Sequence, residues 1–183
     1  MAEGRKYEEV VLMTASLARL LRQSISNEDE VVPLAREVEY AKGYLTIQKM
    51  RYKDKLEFEI DVEPSILNIP LIKLVLQPII ENAIYHGLKY KESKGLLQVK
   101  GFMKDGNAVL QVIDNGVGMD EETLSHIYDK HKVNYHSNGV GVYNVQKRLK
   151  LYYGENYGIT YESEKGVGTT ATITIPGIQE ESI

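Results

Sequence analysis

"PIIENAIYHGL", residues 78–88, carries two messages at once. Ile79, Ile80, Ala83 and Ile84 recur at the three- and four-residue steps of a buried helix face. Glu81, Asn82, Tyr85, His86 and Lys89 share the other side, opposite Leu76, Ile79, Ile80 and Ala83. A polar helix face is ordinarily just solvated. This one also carries Tyr85 and follows Pro78, so it reads as a surface turned toward a ligand. Buried polar groups need partners, and a carboxamide oxygen such as that of Asn82 is a hard donor suited to Mg²⁺.

Upstream, Val10, Met13, Leu17 and Leu20 form one helical stripe, and "SISNEDE" interrupts it. Leu34, Val38, Ala41 and Leu45 form a second, from Pro33 to about Tyr52. At Leu56 the period becomes two: Leu56, Phe58, Ile60 and Val62 alternate with Glu57, Glu59 and Asp61, predicting a half-buried antiparallel strand. A helix is expected from Pro70 to Leu88. "LLQVKGFM" and "AVLQVID" flank Asp105-Gly106-Asn107 and read as a hairpin.

A polar stretch from Gly118 to Asn138 follows, with a short helix from Asp120. Val142, Val145, Leu149 and Tyr152 mark another helix, which Gly154 ends. "GITYESE" and "TTATITI" are two last strands around Lys165-Gly166, with Ala171, Ile173 and Ile175 inward. Strands interleaved with a few helices predict a mixed sheet covered on one face, an α/β sandwich.

Three glycine-rich stretches resist a purely structural reading. In "VIDNGVGMD" a strand runs into Asp114-Asn115-Gly116-Val117-Gly118, yet no returning strand follows to make a hairpin. The arrangement offers a carboxylate acceptor beside backbone that a flat ligand can approach, which suits the exocyclic amine of a purine. In "SNGVGVYNVQKRL", Gly139 and Gly141 precede a helix N-terminus, where free N–H groups and the helix dipole favour phosphate. "EKGVGTT" is the third GxG.

The 183 residues include 22 basic and 26 acidic, and the net charge of -4 argues against a general nucleic-acid surface. The absence of cysteine excludes a disulfide framework and fits a reducing compartment. No apolar run approaches the roughly 20 residues of a membrane span. The polar opening "MAEGRKYEEV" is no signal peptide, so a cytoplasmic domain is expected.

In this order and spacing, the four stretches resemble the N, G1, G2 and G3 boxes of the Bergerat ATP-binding fold shared by gyrase, heat-shock chaperones, histidine kinases and MutL. "YLTIQKMRYKDKLEFEID", "IPLIKLVLQPIIENAIYHGL", "DNGVGM", "NGVGVYNVQKRLKLYYG" and "GVGTTATITIP" further resemble the LytS-like sensor histidine kinases, from about Leu34 to Pro176. The resemblance implies a two-layer sandwich over residues 53–177, preceded by a helical segment over 1–52 and followed by a polar tail over 178–183.

It also implies that ATP is bound with Mg²⁺ on Asn82, that Asp114 accepts a hydrogen bond from adenine, and that Gly116 and Gly118 allow close approach. Thr169 would support the adenine pocket. Gly139 and Gly141, with Val140 and Val142, would receive the phosphates, and Tyr85, His86 and Met119 would line the nucleotide. Residues 119–138 would be the ATP lid, a structure-poor connection of a length that is usually functional. His126, His131 and His136 fit no common metal-ligand spacing and read as solvated lid residues.

Two departures stand out. The family usually carries a lysine where this chain has Tyr85. No histidine precedes His86, so the phospho-accepting His-Phe-x-Phe-Asn segment would lie upstream of this chain. The resemblance thus implies a piece of a homodimeric sensor in the bacterial cell membrane, transferring the γ-phosphoryl to an acceptor-helix histidine and onward to a response regulator.

Glu81 reads as a catalytic residue, or as one that orients Asn82. A gyrase-like ATP hydrolase is the alternative, but the position one turn before Asn82, where its general-base glutamate belongs, is Pro78. A nucleotide-binding regulatory module without turnover is a third reading.

Overall fold

A computed structural model describes residues 30–127 and 139–177. The stripe from Val10 to Leu20, most of the lid with His131 and His136, and the tail from 178 lie outside the described residues. In chain order the elements are β1 (Val31–Pro33), α1 (Leu34–Tyr52), β2 (Leu56–Val62), β3 (Pro70–Ile72) and α2 (Leu76–Asn82). α2 continues into a wider π-helical turn, Ala83–Leu88. Then come β4 (Gly95–Lys104), β5 (Asn107–Asp114), α3 (Glu121–Ser125), α4 (Gly139–Tyr153), β6 (Gly158–Glu164) and β7 (Gly168–Pro176).

Five strands form one sheet in the order β2-β4-β5-β7-β6, and β1 pairs with β3 in a small antiparallel ribbon. Two hairpins make most of the sheet. Asp105 and Gly106, both at positive φ (49° and 78°), form the two-residue turn between β4 and β5. Such a turn matches the natural twist of the flanking strands. β6 and β7 pair from Gly158↔Thr174 to Glu164↔Gly168.

β2 is the exception to the expected pattern. It runs parallel to β4, with Leu56 opposite Gly95 and Val62 opposite Gly101, rather than antiparallel. The chain leaves β2, passes through α2 and re-enters the sheet at β4, the crossover connection that parallel neighbours require.

The period-two faces behave as their chemistry demands. Leu97, Val99, Leu110, Val112, Ala171, Ile173 and Ile175 turn inward, where Leu76, Ile79 and Ile80 of α2 and Val142, Val145 and Leu149 of α4 meet them. Leu34, Ala41 and Leu45 of α1 belong to the same core, so α1 is integral to this layer. On α4 the inward tyrosine is Tyr153 rather than Tyr152, which stands 46% exposed. Tyr153 donates its hydroxyl hydrogen to Pro70 O at 3.0 Å and accepts Ile72 N–H at 3.1 Å, pinning the end of α4 to β3.

The helix expected from Pro70 begins six residues later, at Leu76. Pro70 is extended and pairs with Pro33, and Leu74 turns the chain at φ 60°. Pro78 therefore falls in the first turn of α2, where a missing N–H costs nothing. Those first N–H groups have an acceptor all the same. Glu37 of α1, 5% exposed, takes Leu74 N–H on Oε1 and Val75 and Leu76 N–H on Oε2, at 2.9, 2.9 and 3.2 Å. Burial raises the Glu37 pKa, while the three N–H groups and the Arg148 charge pull it down.

Candidate functional site

A cavity of about 540 Å³ opens between α2, the ends of β5 and β7, and α3. Its walls are Ile79, Ala83, Val112, Ile127, Tyr161 and Ala171, an apolar slot into which a few polar groups project. Of the residues singled out from sequence, Asn82, His86, Asp114, Gly118, Met119 and Thr169 all line it. Glu81, Tyr85 and Gly116 are not among its lining residues, and the side chains of Gly139 and Val140 lie outside the described residues. Val142 is buried in the core at the start of α4, and a Cβ on Gly141 would sit 3.2 Å from Pro78 Cβ. The G2 stretch thus packs against the first turn of α2.

The polar face of α2 is two rows rather than one. Asn82 and His86, four residues apart, turn to the cavity. Glu81 and Tyr85, also four apart but rotated by about 100°, turn to α1. Within α2, Glu81 Oε1 accepts from Gln77 Nε2 at 2.8 Å, and its charge acts on Tyr40 and Tyr44 of α1. Tyr44 of α1 is held in its neutral form by burial, by the Glu81 charge and by Tyr85 beside it. Glu81 and Tyr85 therefore belong to a seam between two helices.

Asn82 Oδ1 is buried and has no hydrogen-bond partner among the described residues. An orphaned oxygen costs about 1–3 kcal/mol, so Asn82 carries bonding capacity that the described residues leave unused. A hard cation is a fitting partner, because Mg²⁺ takes one or two protein oxygens and fills its other positions with water and phosphate. No cluster of three or more His, Cys, Asp or Glu stands ready for a metal among the described residues, as a shared site of that kind does not need one.

Asp114 ends β5 on the floor of the cavity and is 5% exposed. Its Oδ1 accepts Gly116 N–H at 2.8 Å, and Thr169 N–H also supports the carboxylate. Burial outweighs these bonds and the Lys91 charge, and pushes its pKa up to about 6. A desolvated carboxylate facing an apolar slot is an acceptor that wants a donor.

Gly116 and Gly118, read as bare so that a ligand can approach, are also crowded by the protein itself. A Cβ on Gly116 would lie 2.4 Å from the Gly87 carbonyl carbon, and one on Gly87 would lie 2.6 Å from Asp114 Oδ1. Gly118, at φ 64°, presses on Glu164 O. These positions are bare so that strand end, helix and hairpin can close around Asp114. Gly87 escaped sequence reading because a glycine near a helix end looks like a stop signal.

His126, read as a solvated lid residue, is half-buried and lines the cavity with Glu122, Thr123 and Ile127. The short α3 that carries this wall is capped by Asp120, whose Oδ1 accepts Thr123 N–H at 3.0 Å.

The cavity combines an apolar lining with a buried carboxylate acceptor, and comparison with known proteins gives the family to which the chain belongs. A family model described as "Histidine kinase-, DNA gyrase B-, and HSP90-like ATPase" matches residues 68–179, and one described as "Histidine kinase" matches residues 1–56. The chain belongs to this ATPase family. Within it, the chain is similar to sensor histidine kinases and carries their ATP-binding kinase domain.

Sensor histidine kinase YesM of Bacillus subtilis is 31% identical over 176 residues, 96% of this chain and 29% of that protein. Sensor protein LytS of Oceanobacillus iheyensis is 34% identical over 143 residues, 76% of this chain and 24% of that one. The chain thus spans under a third of the length of these relatives. Among solved structures, the catalytic domain of histidine kinase ThkA superposes with a TM-score of 0.60 at 16% identity, covering 81% of this chain and 99% of that one. The histidine kinase domain of a blue-light activated kinase from Erythrobacter litoralis gives 0.59 at 15%, covering 92% and 74%. These likenesses show the fold.

Proposed function

We propose that this domain binds ATP with Mg²⁺ and delivers the γ-phosphoryl to the imidazole of a histidine on a separate helix of its parent sensor. The parent is a homodimer in the bacterial cell membrane that passes the phosphoryl to a response regulator. The single observation that carries the reading is the pairing of a buried, ligand-seeking carboxylate at Asp114 with an orphaned buried oxygen at Asn82 on the walls of one cavity.

Asp114 would accept the adenine amine while Ile79, Ala83, Val112 and Ala171 cover the ring faces. Asn82 would hold the cation, which when bound neutralises charge on the phosphate oxygens. Phosphoryl transfer depends mostly on such positioning and charge neutralisation, so the protein needs to supply little covalent chemistry. Glu81, bonded to Gln77 within α2 and absent from the cavity lining, is placed to support the helix rather than to take a proton in the cavity. Pro78 stands where a hydrolase would need its base, which favours transfer over hydrolysis.

The test is γ-labelled ATP with the whole chain and a separate helix carrying an acceptor histidine. Label on the acceptor, lost with Asn82→Ala, is the expected result. Steady phosphate release without an acceptor, or binding with no transfer to any acceptor helix tried, would overturn it.

A further inference from the structure

Ser163, on β6 and outside the cavity lining, makes three hydrogen bonds that together fix the hydroxyl beside Asp114. It accepts Met119 N–H at 2.9 Å, donates to Gly168 O at 2.9 Å, and lies 2.9 Å from Thr169 Oγ1. A hydroxyl has one hydrogen and two lone pairs. With that hydrogen committed to Gly168, Ser163 can only accept from Thr169, so Thr169 must spend its own hydrogen on Ser163. The Thr169 hydroxyl is then left with lone pairs alone to offer a further partner. The polar end of the slot becomes two acceptors, the Asp114 carboxylate and the Thr169 hydroxyl oxygen, with no hydroxyl donor between them.

We infer that Ser163 is a positioning residue for base selectivity: by locking the Thr169 rotor it makes the pocket accept a 6-amino purine and reject a 6-oxo purine. The inference rests on the proposed ATP site. Freed from Ser163, the Thr169 hydroxyl would rotate and donate to an oxo group, and the pocket would lose part of its preference. Ser163 also fixes Met119 at the start of the lid stretch, where Gly166 N–H reaches Val117 O at 2.7 Å. A purely structural role would therefore weaken all nucleotides alike.

The experiment compares affinities for ATP and inosine triphosphate, which differ in the 6-amino or 6-oxo group and in the hydrogen the 6-oxo purine carries on N1, by titration calorimetry on the whole chain. Ser163→Ala should lower the ATP-over-ITP ratio about five- to tenfold, the worth of one modest hydrogen bond. Ser163→Thr should keep the ratio. On a Thr169→Val background, Ser163→Ala should change it no further, because the rotor it controls is gone. An unchanged ratio in Ser163→Ala, or an equal loss for both nucleotides, would overturn the inference while leaving the ATP site standing. If Ser163→Ala fails to fold by circular dichroism, Thr169→Val alone decides, and a ratio it leaves unchanged overturns the inference. A wild-type chain that binds neither nucleotide would sink the ATP reading itself.

Discussion

Asp114 should make the unliganded domain less stable as pH rises, and the size of the effect follows from its surroundings. Burial lifts its pKa from 3.8, the value for an exposed carboxyl, to about 6. Between those values the native state holds a proton that the unfolded chain has released. Stability therefore falls as pH rises through this window, by about 1.36 kcal/mol per pH unit at most and about 3 kcal/mol in all. Above about pH 6 the full cost is in place; below about pH 4 it is absent.

Asp114→Asn keeps an oxygen for Gly116 N–H and cannot ionise. The difference between wild type and variant should move by about 3 kcal/mol across the window, in favour of the variant at the alkaline end. Any fixed cost of the Asn side chain cancels from that slope, as does the titration of other carboxyls, Glu37 included. Asp120, drawn down to about 2 by its bonds to Thr123 and by Lys165, titrates below the range. Urea unfolding from pH 4 to pH 7.5 measures it. Binding should run the other way, since an amine donor prefers the ionised carboxylate, so ATP affinity of the wild type should rise through about pH 6. Parallel stability curves for the two proteins would refute the reasoning, for they would mean that Asp114 is neither desolvated nor seeking a donor.

Asn82→Ala should remove the Mg²⁺ dependence of ATP affinity, leaving the melting temperature equal or slightly higher because an orphaned oxygen is gone; titration with and without Mg²⁺ checks this, and an unchanged metal dependence contradicts it. Gly87→Ala gains about 1 kcal/mol of helix propensity but drives a methyl to 2.6 Å from Asp114 Oδ1. Overpacking of that kind costs about 1–3 kcal/mol, so net destabilisation with weakened ATP binding is expected in thermal melts and titrations. Glu37→Ala strips the acceptor from three N–H groups and should cost at least about 2 kcal/mol despite the relief of a desolvated charge. A urea midpoint equal to wild type would show that water caps α2 just as well.

Local periodicity made most elements legible: the turn at Asp105-Gly106, the inward Ala171-Ile173-Ile175 row and the Gly154 stop all follow from neighbours a few residues apart. What escaped was information that no short window holds. The alternation in Leu56 to Val62 is the same whether its partner runs parallel or antiparallel. The apolar run from Ile69 to Ile80 scans as helix, yet Pro70 is extended in the ribbon that β3 makes with β1, whose register partner for it lies 37 residues upstream. On α2 the helical period correctly separated polar from apolar, but could not say that Glu81 with Tyr85 and Asn82 with His86 would meet different neighbours. Glu37 looked like one more acid on an amphipathic helix, because its three partners lie 37 to 39 positions away.

That last contact has a mechanical consequence for the site. α2 carries no side-chain cap of its own at its N-terminus, and Glu37 supplies the acceptor from α1. At the other end the π-helical turn brings Gly87 against Asp114. Asn82, between the two, is thus held from both sides. Sliding α1 by one residue along its axis, about 1.5 Å, would stretch a 2.9 Å bond of Glu37 to about 4.4 Å if it lay along the axis and to about 3.3 Å if it lay across it. Breaking them would orphan three N–H groups, at least one of them in the core beside fully buried Leu76 and Val75. The Glu37 bonds therefore tie the N-terminal end of the helix that carries Asn82 to the position of α1.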